Sequence, residues 1–211
     1  PQERQEFLHE QALLRKIKSD LEKEIPLREQ SLADGESKII ANFQFLTAKP
    51  LLLVLNVGEV QLPQATSLET ELHVHHPNLQ LVTLCGKLEM ELAQLDELEA
   101  EEFRATLDIQ ESGVNRILQL SQNLLKLISF FTTASDELKA WTIHADTPAP
   151  KAAGKIHSDM ERGFIRAEVV GYEDLIKCGS LSGARKRGLL RLEGKSYIVQ
   201  DGDVITFLFN V

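Results

Sequence analysis

A chain of 211 residues with 43% hydrophobic and 26% charged content can bury a core, and it fits one or two domains or parts of domains. Its formal net charge of −9 argues against non-specific coating of nucleic acid, and no apolar run approaches the ~20 residues of a membrane span. The polar first residues show no signal peptide, and Cys85 and Cys178 lie too far apart for a metal spacing, so they read as reduced thiols of a cytoplasmic protein.

Residues 2 to 25 carry Phe7, Leu14, Ile17, Leu21 and Ile25 at three- and four-residue steps among Glu, Lys, Arg and Gln. That spacing predicts an amphipathic helix with a narrow apolar seam, ended by Pro26. Helical spacing returns over Glu36 to Phe45 through Ile39, Ile40 and Phe43. Lys49-Pro50 breaks it, and the run Leu51-Leu52-Leu53-Val54-Leu55 predicts a strand buried on both faces, as in a parallel sheet. Leu79 to Leu84 predicts a second strand. Helices are expected over Leu88 to Leu98 and over about Val114 to Ile128.

The last third alternates differently. Strand-like runs surround Phe130-Phe131-Thr132 and Ala140-Trp141-Thr142-Ile143. A helix is expected over Ala152 to Asp159, a strand over Gly163 to Val169, and a turn-rich basic segment over Gly188 to Lys195. Ile198-Val199 and Val204-Ile205 flank Asp201-Gly202, which predicts a terminal hairpin because glycine accepts a positive φ. The expected product is a small mixed domain with one helix clasped by a sheet.

Ligands of parallel sheets gather at the carboxyl ends of strands. There the sequence places Asn56-Val57-Gly58-Glu59 and Cys85-Gly86-Lys87. Asn can brace a loop and meet a ring nitrogen, and a carboxylate can accept N–H donors from a purine edge. The alternative is a loop Asn and a solvated Glu. The second strand end offers backbone N–H groups to the same base. The acidic excess lies before residue 112, whereas Lys151, Lys155, Arg162, Arg166, Arg185, Lys186, Arg187, Arg191 and Lys195 crowd the end. These cations form either an RNA- or partner-binding face or a solvated surface. His73, His75 and His76 lack a nearby carboxylate or thiol at ligand spacing and read as loop histidines; no metal site is expected. His157 beside Asp159 reads as a surface or packing residue. Trp141 and Tyr197 read as core aromatics of strands.

Longer strings carry a family resemblance. Leu46-Thr47-Ala48-Lys49-Pro50 precedes the first strand and its N-x-x-E, and Lys87 to Leu95 follows the second. Near the end stand Ala140-Trp141-Thr142-Ile143, Ala149 to Asp159, Gly163 to Val169 and Glu193 to Val211. These resemble the YchF (Obg-like ATPase) family of P-loop NTPases over nearly the whole chain. The resemblance implies an α+β protein in three parts. Residues 1–46 would be a helical, coiled-coil-type segment. Residues 47–128 would be the C-terminal part of an α/β G domain, a remnant of the whole. Residues 129–211 would be a TGS domain with a β-grasp fold. It further implies that Asn56, Val57, Glu59, Cys85 and Gly86 meet a purine base, with Cys85-Gly86-Lys87 standing where the family usually has Ser-Ala-Lys. A Glu in place of the aspartate of ordinary GTPases is associated with relaxed or ATP-leaning specificity.

The 211 residues contain no G-x-x-x-x-G-K-[ST], and Ala152 to His157 lacks its first Gly and its Ser or Thr. The chain is therefore expected to begin after the catalytic half, with no catalytic residue of its own. ATP or GTP with Mg²⁺ would belong to the intact parent, and none is expected on this chain, which is expected to be inactive alone. Two functions remain. One is the C-terminal portion of a nucleotide-binding protein that associates with the ribosome or RNA. The other is a stand-alone, non-enzymatic TGS module that binds RNA or a protein.

Overall fold

A computed structural model describes residues 2–109, 111–134 and 137–210. The first helix, α1 (Gln2–Leu21), buries Leu13 and Ile17 against Leu27 and Ile40, with Leu32, Ile39 and Phe45 alongside. The expected seam is thus rotated. Ile17 belongs to it, but Phe7, Leu21 and Ile25 are exposed and Leu13 takes the central place. The helix stops before Pro26, at Leu21, where the chain turns through Glu24 at φ +63°. The second helix, α2 (Asp34–Ala41), also ends earlier than its apolar spacing suggests, and Phe43 then stacks on Phe45 at 5.4 Å.

Strands β1 (Leu52–Asn56) and β2 (Gln80–Leu84) pair in parallel, with Leu52 opposite Gln80 and Asn56 opposite Leu84. Helix α3 (Ala65–His75) connects them and carries His73 and His75 in its last turn, where a loop was expected. β2 is the better covered strand: Val82 and Thr83 are buried. β1 is not buried on both faces, because Leu51 and Val54 are exposed. The predicted helix over Leu88–Leu98 is two. Helix α4 (Gly86–Leu92) packs Leu88 and Leu92 on Cys85 and Ala100, then breaks. Helix α5 (Glu97–Thr106) starts afresh at Asp96, whose carboxylate accepts the Glu99 N–H while Glu99 accepts that of Asp96. Helix α6 (Gly113–Leu124) is capped by Ser112, and Ile128 lies beyond it in the next strand.

The C-terminal part is a five-stranded sheet in the order β4-β3-β7-β5-β6. β3 (Leu127–Ala134) and β4 (Glu137–His144) are antiparallel, with Phe130 opposite Trp141. β7 (Asp203–Phe209) runs parallel to β3 and antiparallel to β5 (Phe164–Gly171), and β6 (Arg191–Glu193) closes the far edge within the segment read as turn-rich. Successive residues of a strand face opposite sides. Ala167, Val169, Ile205 and Phe207 therefore meet Ala149, Ala152 and Ala153 of helix α7 (Ala149–Ile156) on one face. Val170 and Val204 meet Ala184, Leu175 and Leu181 on the other, carried by helices α9 (Tyr172–Cys178) and α10 (Leu181–Lys186). A short helix, α8 (Ser158–Arg162), follows α7 after an extended His157, so the helix expected over 152–159 is broken there. Trp141 is half-buried in β4 and donates from Nε1 to Thr132 Oγ1 at 2.9 Å. Tyr197 packs against the core from outside any strand.

The predicted terminal hairpin does not form. Asp201-Gly202 is a turn with Gly202 at φ +78°, but both edges of β7 are already taken by β3 and β5. Residues 197–199 run instead beside 147–149: Ala149 N–H donates to Tyr197 O at 2.8 Å and Val199 N–H to Thr147 O at 3.1 Å. The turn itself docks on β3, where Ser129 N–H donates to Asp201 Oδ1 at 2.8 Å.

Candidate functional site

The two parallel strands end side by side, and their following loops meet. Val57 N–H donates to Leu84 O at 2.9 Å, extending the ladder past Asn56. The Asn56 side-chain oxygen Oδ1 accepts the Gly86 N–H at 2.9 Å. A Cβ at position 86 would stand 3.2 Å from that oxygen, so the glycine lets the asparagine lie across the start of α4. Glu59 Oε1 accepts from Lys87 Nζ at 3.0 Å, and Glu91 lies 3.7 Å from the same ammonium. The hydrogen bond to Glu59 holds the Lys87 ammonium above its ordinary pKa. Gly58 N–H donates to Gln61 Oε1 at 3.1 Å.

All five sequence-predicted base residues thus lie at the two adjacent strand ends: Asn56 closes β1 and is followed by Val57 and Glu59, and Cys85 and Gly86 follow β2. Asn56 and Glu59 are exposed and Val57 is half-buried. Cys85 is buried among Leu88, Leu92 and Ala100, so its thiol faces the core and not a ligand. The Gly86 N–H is given to Asn56. The Glu59 carboxylate is ion-paired. Lys87, quoted only as part of a motif, and Gln61 were not among the candidates; the signal for Lys87 is its place three residues past β2. The groups here suit the edge of a planar, hydrogen-bonding base: the exposed Asn56 amide, one accepting carboxylate and one donating ammonium. Among the described residues no group of three His, Cys, Asp or Glu is placed to hold a metal.

Beneath the loops the outer edge of β2 is capped by side chains. Glu69 of α3 accepts the Thr83 N–H at 2.7 Å and Arg116 Nη2 of α6 at 3.0 Å, while Arg116 Nη1 reaches Thr83 O at 3.4 Å. These two side chains occupy backbone groups that a neighbouring strand would otherwise pair. Glu89 Oε1 accepts the Gly113 N–H at 2.7 Å, fixing the start of α6 against α4.

The C-terminal cations do not form a single face. Lys151, Lys155 and Arg162 lie on α7 and α8, on one side of the sheet. Arg166 shares the opposite side with Glu168, and Arg185, Lys186 and Arg187 sit at the end of α10 on that same side. Several are also engaged: Lys151 with Glu161 at 2.5 Å, Arg162 with Asp159, and Arg185 with Glu168 at 2.6 Å. The bond from Arg162 lowers the Asp159 pKa. Arg187 donates to Lys177 O at 3.3 Å. Among the described residues Lys155, Arg166 and Lys186 make no ion pair and stand exposed. His157 is exposed, accepts the Asp159 N–H at 3.2 Å and caps α8. No helix among the described residues is long and apolar enough to cross a membrane.

Comparison with known proteins gives a consistent neighbourhood. The family model YchF-GTPase_C, described as a protein of unknown function (DUF933), matches residues 127–210. A Bacillus subtilis protein named ribosome-binding ATPase YchF is 42% identical over 203 residues, covering 94% of this chain and 56% of the relative. A Haemophilus influenzae protein of the same name is 41% identical, again over 203 residues, with 96% and 56% covered. The structure of the Schizosaccharomyces pombe YchF GTPase superposes with a TM-score of 0.85 at 31% identity, covering 95% of this chain and 54% of that one. The chain thus spans about half the length of the curated relatives it matches.

Proposed function

The chain belongs to the YchF family, and from that premise we propose that it carries the base-reading loops and the accessory domain of a cytoplasmic, ribosome-associated nucleotide-binding protein. In this reading residues 1–46 are a helical, coiled-coil-type segment. Residues 47–128 are the C-terminal part of an α/β G domain, and residues 129–211 are a TGS domain of β-grasp type. The purine of ATP or GTP rests against Val57, with Asn56 and Glu59 at its edge and the Gly86 backbone beneath. The observation that carries the reading is the 2.9 Å bond between Asn56 Oδ1 and the Gly86 N–H, which locks the two strand-end loops into one surface. The bound nucleotide would bring the phosphates and Mg²⁺ of the hydrolytic chemistry. The residues of this chain would orient the base and nothing more, because phosphoryl transfer depends on groups that cradle phosphates and metal. The 211-residue chain is accordingly expected to show no Mg²⁺-dependent ATP or GTP turnover, and clear turnover would refute this division of labour.

The ribosome reading rests on the relatives named for ribosome binding and on Lys155, Arg166 and Lys186, which are exposed and make no ion pair among the described residues. Co-sedimentation with ribosomes at two salt concentrations tests it. Phosphate contacts predict affinity that falls steeply with salt, and absent or salt-insensitive binding counts against it. A second reading, a TGS module acting without nucleotide, is favoured by the self-contained aromatic and aliphatic core of the five-stranded sheet. Ribosome binding by residues 127–210 alone, equal to that of the 211-residue chain, would select it.

A further inference from the structure

We propose that Lys87 sets the balance between the two purines by occupying half of the Glu59 carboxylate. The inference rests on the reading of the strand-end loops as a purine site. A free carboxylate presents two acceptor oxygens side by side. That pattern matches guanine, whose N1–H and N2 amino donors are adjacent, better than adenine, which offers one amino donor beside a ring acceptor. Here Lys87 Nζ donates to Glu59 Oε1 at 3.0 Å, and Glu91 at 3.7 Å steadies the ammonium from the next turn of α4. Lys87 reaches across from the end of β2 to the end of β1, a second link beside the Asn56–Gly86 bond. The edge offered to a ligand becomes one acceptor oxygen beside an ammonium donor. Guanine loses its two-point contact with the carboxylate, and adenine gains a donor for its ring nitrogen. Lys87 thus levels the two bases in two ways, by claiming one Glu59 oxygen and by offering its own ammonium to the ring nitrogen of adenine.

The ion pair is exposed at both ends, with side-chain accessibilities of 68% and 50%, so removing it does not threaten the fold. Its consequence is for selectivity and not for stability. Replacing Lys87 with methionine keeps the aliphatic stem and releases both carboxylate oxygens.

The test is an amide chemical-shift titration of the 211-residue chain with AMP and with GMP, at up to tens of millimolar because base contacts alone bind weakly. The variants are Lys87→Met, Glu59→Gln and the double variant. The expected result is that both nucleotides move the Asn56, Val57 and Gly86 amides of the parent chain with similar midpoints. Lys87→Met should raise the GMP-to-AMP affinity ratio about tenfold, the scale of one two-point base contact. Adding Glu59→Gln should abolish that gain, which a merely structural role for Lys87 would not predict. An unchanged ratio in Lys87→Met, with those amides still responding, overturns the inference and leaves the purine site standing. No response of these amides to either nucleotide in any variant overturns the site and the inference together.

Discussion

Replacing Glu69 with alanine should loosen the scaffold beneath the strand-end loops. Glu69 does two things at once: it accepts the N–H of Thr83, a residue only 3% exposed, and it pairs with Arg116. Truncation leaves that backbone N–H buried without an acceptor, a cost of about 1–3 kcal/mol. The ion pair adds less, ~0.5–1 kcal/mol, because the Arg116 side chain is 36% exposed and water screens it. The expected loss is therefore about 1.5–4 kcal/mol, mostly from the orphaned N–H. Glu69→Gln should cost about 1 kcal/mol or less, since the amide oxygen still accepts from Thr83 while the charge is gone. Urea unfolding of the parent and both variants gives the totals, and hydrogen exchange at the Thr83 amide locates them. If Glu69→Gln were as damaging as Glu69→Ala, or if Thr83 stayed protected in the alanine variant, the capping argument would be wrong.

Other consequences follow from the same packing. Phe207 meets Phe130 edge-on at 5.9 Å and Phe164 at 6.1 Å, so Phe207→Ala should cost ~3–5 kcal/mol and lower the thermal midpoint of the five-stranded sheet; a loss below ~1 kcal/mol would contradict the core described. Cys85→Ser places a hydroxyl among Leu88, Leu92 and Ala100 and should destabilise by about 1–3 kcal/mol in urea, whereas a neutral result would mean the thiol is not a packing group. Burial, with the bond to Asp203, pushes the Tyr197 phenol up to about 12. The folded value lies above the unfolded one of about 10, so this contribution is intact below about pH 10 and is lost as pH rises through the folded value. Urea midpoints across that window should fall with pH, and Tyr197→Phe should flatten the decline; an equal slope in the variant would show that another group is responsible.

The sequence announces some of this architecture and hides the rest for identifiable reasons. The apolar runs at Leu51–Leu55 and Leu79–Leu84 mark both parallel strands, because a short continuous apolar run bounded by breakers is of strand length, even though β1 keeps Val54 exposed. Helix α3 went unread: its apolar residues are sparse, and Glu69, an ordinary polar residue in sequence, is committed to the edge of β2. Helices α9 and α10 are only seven and six residues long, too short for a periodicity to emerge. The false hairpin at Asp201-Gly202 had the right turn residue. What defeated it was tertiary, since β7 sits between two partners and leaves no edge for residues 198–199. The seam of α1 was displaced by one residue because the partner surface, Leu27 and Ile40, selects Leu13.

At the candidate site the residue types were legible and their pairings were not. Asn56 and Glu59 stand out at a strand end, but nothing in N-x-x-E says that Lys87 claims the carboxylate or that the Gly86 N–H turns inward. The basic residues illustrate the same limit. They cluster in sequence, yet Lys151 and Lys155 ride on α7 while Arg166 and Arg185 occupy the other side of the sheet.

The most direct measurement is an amide-resolved titration of the 211-residue chain with ATP, run with and without Mg²⁺. A base-reading surface without phosphate grips predicts shifts confined to Asn56–Glu59 and Cys85–Lys87, equal in both conditions. Tight binding that requires Mg²⁺, or shifts centred away from these two loops, would contradict it.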